Sequence, residues 1–183
     1  MVKALVGFIV GVLVVAAGGW MMMPRMMFTE RVSPSGLEET VARIQHNIVK
    51  TGNGWSLSGL RNPAKAVQTD GGNVLPVIMI EACSTNYSKP ILKEDTVRFL
   101  SILMPCKISI YKKNDGKVYI GTMNAGLMGK MFGPLVGEIM GKVAEDQKKF
   151  LVFDPNTPAP AMILPAAPAA GGAGGSGGGG GGC

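Results

Sequence analysis

The sequence predicts an α+β domain: a small sheet with a central β-hairpin packed on two helices, preceded by one transmembrane helix. Three observations lead to this prediction. An uncharged run extends from Ala4 to Met23. The turn sequence Asn114-Asp115-Gly116 separates two short alternating segments, which is typical of a β-hairpin. Two further segments, one before and one after this hairpin, carry apolar residues at helical spacing.

The uncharged run is long enough to cross a bilayer as a helix. At about 1.5 Å per residue it spans roughly 30 Å, the thickness of a hydrocarbon core. We interpret residues 1–25 as a single-pass signal anchor, and a signal peptide cleaved after Ala17 is the alternative. Both interpretations place the domain on the extracytoplasmic (periplasmic) side of the cell membrane, and the anchor makes the lipid bilayer a partner.

Residues 26–153 are expected to form the folded domain. A strand is predicted over residues 26–32. The helix that follows is expected to begin at a capping box formed by Ser35 and Glu38 and to end near Gly52. Its apolar residues are spaced 4, 3 and 4 apart, which places them on one helical face: Leu37, Val41, Ile44 and Ile48.

The middle of the domain is predicted to supply the rest of the sheet. Residues 73–83 are apolar at both odd and even positions, which indicates a strand covered on both faces. Residues 87–103 are helical or irregular. The hairpin then pairs residues 105–111 with residues 117–123.

The carboxyl end is predicted to be a helix followed by a tail. The helix is expected from Pro134 to about Phe150, with Gly137 and Gly141 allowing a close approach to the sheet. A glycine-faced helix also suggests a homodimer. Residues 154–183, rich in Pro, Ala and Gly, offer little to bury and are predicted to be disordered.

Composition and motifs exclude several function classes. Eighteen Lys and Arg against 12 Asp and Glu give a net charge of +6, and this excess is too dispersed for a nucleic-acid interface. One histidine, His46, makes most zinc, haem and catalytic-triad sites hard to build, and it is expected on the solvated surface. No phosphate-loop, dinucleotide, zinc-protease or nucleophile-elbow motif is present. No catalytic residue is therefore predicted, and a non-enzyme is favoured.

The cysteines are the best candidates for chemistry. Cys83 ends one predicted strand and Cys106 begins the next, so antiparallel neighbours would bring both sulfurs to one end of the sheet. A disulfide is the leading interpretation in an oxidising compartment. A redox-active pair, or a soft-metal site completed by Met104 and Met123, is the second. Two unpaired core cysteines are the third.

The order of elements resembles the domain of unknown function 302 family. Two blocks carry the resemblance, Ser35–Val41 and Met104–Tyr119. The resemblance implies a small α+β domain over about residues 27–151 that tends to dimerise and has no agreed activity. Many members carry Gly-Asn-Pro after the apolar strand, where this chain has Glu81-Ala82-Cys83-Ser84. The cysteines look like those of a membrane-anchored subgroup.

Three functional hypotheses follow from the sequence. The first is a membrane-anchored binding or accessory module of unknown ligand, linked to envelope redox or sulfur metabolism. The second is a metal- or haem-binding redox protein that uses Cys83, Cys106 and neighbouring methionines. The third is a structural homodimer. The sequence identifies no cofactor, and it leaves the small-molecule or protein partner open.

Overall fold

The computed structural model describes residues 2–164 of the chain. Within them the chain forms six α-helices, one 3-10 helix and five strands, and the predicted α+β fold is confirmed. The elements in chain order are α1 (Val2–Met27), β1 (Phe28–Val32), α2 (Leu37–Thr51), β2 (Trp55–Arg61), α3 (Pro63–Thr69), β3 (Val77–Ser84), α4 (Thr85–Lys93), a 3-10 helix (Arg98–Leu103), β4 (Cys106–Lys112), β5 (Val118–Met123), α5 (Ala125–Lys130) and α6 (Pro134–Phe150).

The strands form one antiparallel sheet in the order β1-β5-β4-β3-β2. The predicted hairpin is confirmed as β4 and β5, with Lys112 opposite Val118 beside the turn. β4 is the middle strand, so the hairpin is central as expected. Its turn is closed by Asp115, whose carboxylate accepts the Lys117 amide hydrogen at 3.0 Å.

One face of this sheet forms the main core with α2 and α6. Isoleucines of neighbouring strands lie opposite each other on this face. Ile80 pairs with Ile108, and Ile110 pairs with Ile120. All four are at most 1 % exposed. The residues that cover them from the helices include Val41, Ile44 and Ile48 of α2 and Val143 and Phe150 of α6. The apolar face predicted for α2 and the bounds predicted for α6 are therefore confirmed.

The sequence prediction missed β2 and α3. A β-bulge between Leu57 and Gly59 shifts the register of β2 against β3, which breaks the strict alternation that identifies a strand. The helix α3 starts at an Asn-Pro pair, where the Asn62 side chain accepts the Lys65 amide hydrogen at 2.8 Å. Its seven residues are too few to show a helical period.

The predicted capping box is wrong. The residue before α2 is Gly36, and no side chain caps the helix. The Ser35 hydroxyl instead donates to the Glu39 carboxylate at 3.2 Å. The Thr40 hydroxyl donates to the Gly36 carbonyl at 2.7 Å, but this bond satisfies none of the free N–H groups of the first turn.

The close approach of α6 is to α5 and not to the sheet. A Cβ added to Gly129 of α5 would lie 2.4 Å from the Cβ of Met140, so only glycine fits there. A Cβ on Gly137 would meet the Gly129 carbonyl oxygen at 3.7 Å, whereas one on Gly141 would have no neighbour within 4 Å. The tight packing of the two helices thus depends on Gly129 of α5, whereas Gly141 of α6 takes no part in it.

The properties of α1 do not agree with the predicted membrane anchor. Its large apolar side chains between Val6 and Val15 are exposed. Among the residues that the structure describes, no helix has both the length and the apolar character needed to span a bilayer. The predicted single-pass anchor, and the signal-anchor and periplasmic assignments that depended on it, are therefore wrong, and a membrane-anchored subgroup is not supported.

A buried carboxylate ties α6 to β2 and α4. Asp146 is 5 % exposed. Its Oδ2 accepts hydrogen bonds from the Trp55 indole at 3.0 Å and the Tyr87 hydroxyl at 2.8 Å, and its Oδ1 accepts one from Lys149 at 2.7 Å. Burial alone would raise the pKa of Asp146, but these three donors outweigh burial and hold the pKa below its ordinary value of 3.8.

Replacing this carboxylate should weaken the domain. We expect Asp146→Asn to lower the free energy of unfolding by about 2–3 kcal/mol, because hydrogen bonds to a charged acceptor are lost in a buried site. Urea denaturation measures the change. The control is Glu145→Gln, which removes an exposed ion pair with Lys148 and should leave stability almost unchanged. Equal effects of the two substitutions would contradict the assigned role.

The same carboxylate predicts a pH dependence of stability. A pKa lowered by folding contributes stability above the ordinary pKa, and that contribution disappears as the pH falls through the folded value. The difference in unfolding free energy between wild type and Asp146→Asn should therefore be constant above roughly pH 5 and shrink as the pH drops below 3.8. Urea titrations of both proteins across this range test the sign, and a difference that grows on acidification would refute it.

Candidate functional site

An apolar cavity of about 50 Å³ lies between α4, the 3-10 helix, α5 and α6, beside the ends of β3 and β4. Two groups of core residues meet there. One is the core between the sheet and α2 and α6, and the other is a smaller cluster of Ile91, Leu100, Val136 and Ile139. Tyr87 and Met140 pack against both groups. The lining is almost wholly apolar, so the cavity presents hydrocarbon and sulfur surface to any occupant.

The structure brings all four sequence-predicted site residues to this cavity. Cys83, Met104, Cys106 and Met123 lie in its lining, together with Met128 and Met140. β3 and β4 are antiparallel neighbours, as the cysteine argument required, and Cys106 lies opposite Ala82. The ends of the two strands therefore do converge at one place in the fold.

The predicted disulfide between Cys83 and Cys106 is not formed, because Cys106 is a free thiol. The strand register gives the reason. Cys106 faces Ala82 across the ladder, and adjacent residues of a strand direct their side chains to opposite faces, so Cys83 is offset from Cys106. The Cys83 sulfur lies 3.8 Å from the Ser88 hydroxyl, at the start of α4.

The Cys106 thiol is a weak nucleophile. Burial raises its pKa to about 11, although the positive charge of Lys107 opposes part of this shift. Thiolate, not thiol, attacks electrophiles and disulfides, and at neutral pH the thiolate fraction of such a group is very small. The cavity therefore holds a protonated sulfur that serves as lining unless a cation displaces the proton.

Sequence reasoning missed two aromatic residues of the cavity wall, Trp55 and Tyr87. Their rings meet edge to face at 5.9 Å, and their polar ends reach Asp146 outside the lining. The turn before β2 offered a signal, since residues 52–54 read Gly-Asn-Gly and all three adopt positive φ. A turn of this kind followed by Trp favours a strand entering the core.

The remaining candidate residue lies elsewhere. His46 is exposed on α2, as expected, and its Nε2 is 2.9 Å from the Ala161 carbonyl oxygen. Residues 2–164 contain no group of three His, Cys, Asp or Glu side chains placed to hold a metal ion. A metal at the cavity would therefore depend on thioether sulfur.

Comparison with known proteins agrees with this fold. The crystal structure of an uncharacterized conserved DUF302 protein from Bacillus stearothermophilus superposes with a TM-score of 0.61, covers 69% of this chain and 96% of its own, and shares 21% of its sequence. At this identity the likeness establishes the fold alone. No curated protein matches the chain. The family model described as domain of unknown function DUF302 matches residues 28–152, and the chain therefore belongs to the DUF302 family.

Proposed function

We propose that this DUF302 domain is a non-catalytic binding module whose ligand is a small apolar molecule held in the cavity beside Cys106. The supporting observation is the cavity itself. Its volume of about 50 Å³ exceeds the roughly 10–15 Å³ that one water molecule requires. Apolar cavities do not hold water well, because water there would lack hydrogen-bond partners, but they accept apolar guests.

The polar groups around the cavity support binding rather than catalysis. Asp146 is occupied by three donors, and the Tyr87 hydroxyl both donates to Asp146 and accepts from the Asn53 amide at 2.6 Å. The pKa of Tyr87 is raised by burial and by Asp146, so its proton is firmly held. The polar groups of Asp146 and Tyr87 are therefore hydrogen-bonded to other protein groups and do not point at a ligand in the cavity.

Xenon is a suitable probe because it is small, apolar and unreactive. We expect it to bind at the cavity and to shift the methyl resonances of Ile139 and Val136 in a saturable manner. Ile139→Phe should fill the space and abolish saturable binding. NMR titration under xenon pressure measures both outcomes.

The matched control is Ile102→Phe. Ile102 is 81 % exposed and does not line the cavity, so the same substitution there should leave xenon binding intact. Shifts that stay linear with xenon pressure in the wild type would show that the cavity takes up no guest, and the proposed function would then fail.

A second candidate ligand is a soft metal ion. Cys106, Met104 and Met123 bring one thiol and two thioethers to the same lining, and this donor set suits Cu(I). Cys106 would supply the charged ligand, and the methionines would supply neutral sulfur. The apolar surroundings would exclude water and hence competing oxygen ligands.

Copper binding by this set has a distinctive pH dependence. Binding must displace the Cys106 proton, whose pKa is about 11, so the apparent Kd for Cu(I) should fall about tenfold per pH unit between pH 6 and 8. Competition with a Cu(I) chelator under reducing conditions measures Kd. Cys106→Ser should abolish the pH dependence, whereas Met131→Leu, at a position 63 % exposed and outside the cavity, should preserve it. Identical affinities for the wild type and Cys106→Ser would exclude this ligand.

A further inference from the structure

The chain continues past α6 as an extended segment that lies against α2. We call residues 154–164 the strap. It contains no helix or strand, and its main internal hydrogen bonds form a turn at Asp154. Three neighbouring side chains of α2 hold it: Arg43, Gln45 and His46. Part of the tail predicted to be disordered is thus held by specific contacts.

Gln45 recognises the backbone of the strap. Its amide nitrogen donates to the Ile163 carbonyl at 2.7 Å, and its amide oxygen accepts the Ile163 N–H at 2.9 Å. Both polar ends of one side chain are therefore paired with a single residue. Gln45 is 0 % exposed, so neither end has water as an alternative partner. The two hydrogen bonds pair the Gln45 side chain with the N–H and C=O of Ile163, as a neighbouring strand would in a β-sheet, and they therefore favour an extended chain.

Arg43 holds the other end of the strap. It is 4 % exposed, and its guanidinium donates to the Thr157 hydroxyl at 2.8 Å and also to the Thr157 carbonyl. Glu39 neutralises its charge at 2.7 Å from the preceding helical turn. Phe153, just before the strap, lies 5.8 Å from the guanidinium carbon, measured to the ring centre. A buried cation is thus satisfied largely by residues beyond α6.

The composition of the strap suits a peptide ligand. Pro155, Pro158 and Pro160 restrict φ and favour an extended chain, which lowers the entropy lost on binding. Met162 packs against the main core and supplies an apolar anchor. Backbone pairing, one threonine and one apolar anchor together define the recognised feature.

The strap also lies outside the DUF302 match, which covers residues 28–152. Arg43 and Gln45 lie inside it. The side chains that hold the strap thus lie within the matched residues, and the strap lies beyond them.

We propose that three polar side chains of α2, Arg43, Gln45 and His46, form a binding site for extended, proline-rich peptides, and that the strap is its ligand within the same chain. This site is separate from the cavity and does not rest on the function proposed there. Tethering gives the strap an effective concentration in the millimolar range, so an added peptide competes poorly while the strap is seated. A strap that cannot seat leaves the site open.

The test uses the full chain and a fluorescent peptide of residues 153–164. Ile163→Pro removes the N–H that Gln45 accepts and should release the strap. The peptide should then bind this variant at least about tenfold more tightly than it binds the wild type, measured by fluorescence anisotropy. Adding Gln45→Leu to Ile163→Pro should weaken peptide binding by about tenfold or more.

Ala159→Pro is the matched control. It places the same residue in the strap at an exposed position between two prolines, and peptide binding should stay at the wild-type level. Met162→Asp is a second release variant that acts through the apolar anchor, and it decides the matter if circular dichroism shows Ile163→Pro to be unfolded. Failure of the peptide to bind the folded release variants, or equal binding to all variants, would overturn the proposal.

Discussion

The burial of one face of the sheet beneath α2 and α6 is the constraint on which the structure depends. β-branched isoleucine suits a strand, and fully burying such a side chain contributes about 1.5–3 kcal/mol. Ile80, Ile108, Ile110 and Ile120 form the centre of the buried face. Phe150, the last residue of α6, is 0 % exposed and meets Trp55 edge to face at 5.0 Å, which fixes the end of the helix over the sheet. α4 and α5 both pack against α6.

The cavity is a consequence of this arrangement. α6 contributes to two packing groups, one beneath the sheet and one beside α4 and the 3-10 helix, and these groups do not interlock fully. Gly129 allows α5 to approach α6 closely on one side, whereas flexible methionines line the other walls. Methionine is unbranched and adapts to irregular space, which suits it to line a part of the core that is not completely filled.

The sequence predicted the elements with regular spacing and missed those without it. The helix stripe from Leu37 to Ile48 and the hairpin around Asn114-Asp115-Gly116 follow directly from periodicity and turn chemistry. β2 escaped because its bulge at Leu57 and Gly59 interrupts the alternation. The cysteines and methionines of the candidate site were identified because strand ends could be located.

Other parts of the site depend on contacts distant in sequence. Asp146 looks like an ordinary charged residue of an amphipathic helix until Trp55 and Tyr87 are brought to it. The disulfide prediction failed for a similar reason. The sequence indicated that the strands ending at Cys83 and beginning at Cys106 are neighbours, but it did not give the register that places Cys106 opposite Ala82. The membrane assignment failed where an apolar run was equated with a spanning helix.

The polar residues of α2 show why residues beyond the family domain belong to the folded unit. A helix with one apolar stripe normally turns its other face to water, yet Arg43 and Gln45 are both almost fully buried. Burying an amide and a guanidinium without partners would cost several kcal/mol. The strap removes that cost by offering backbone groups at the right places. α2 is therefore covered by the sheet along its apolar stripe and by the strap at the polar side chains outside that stripe.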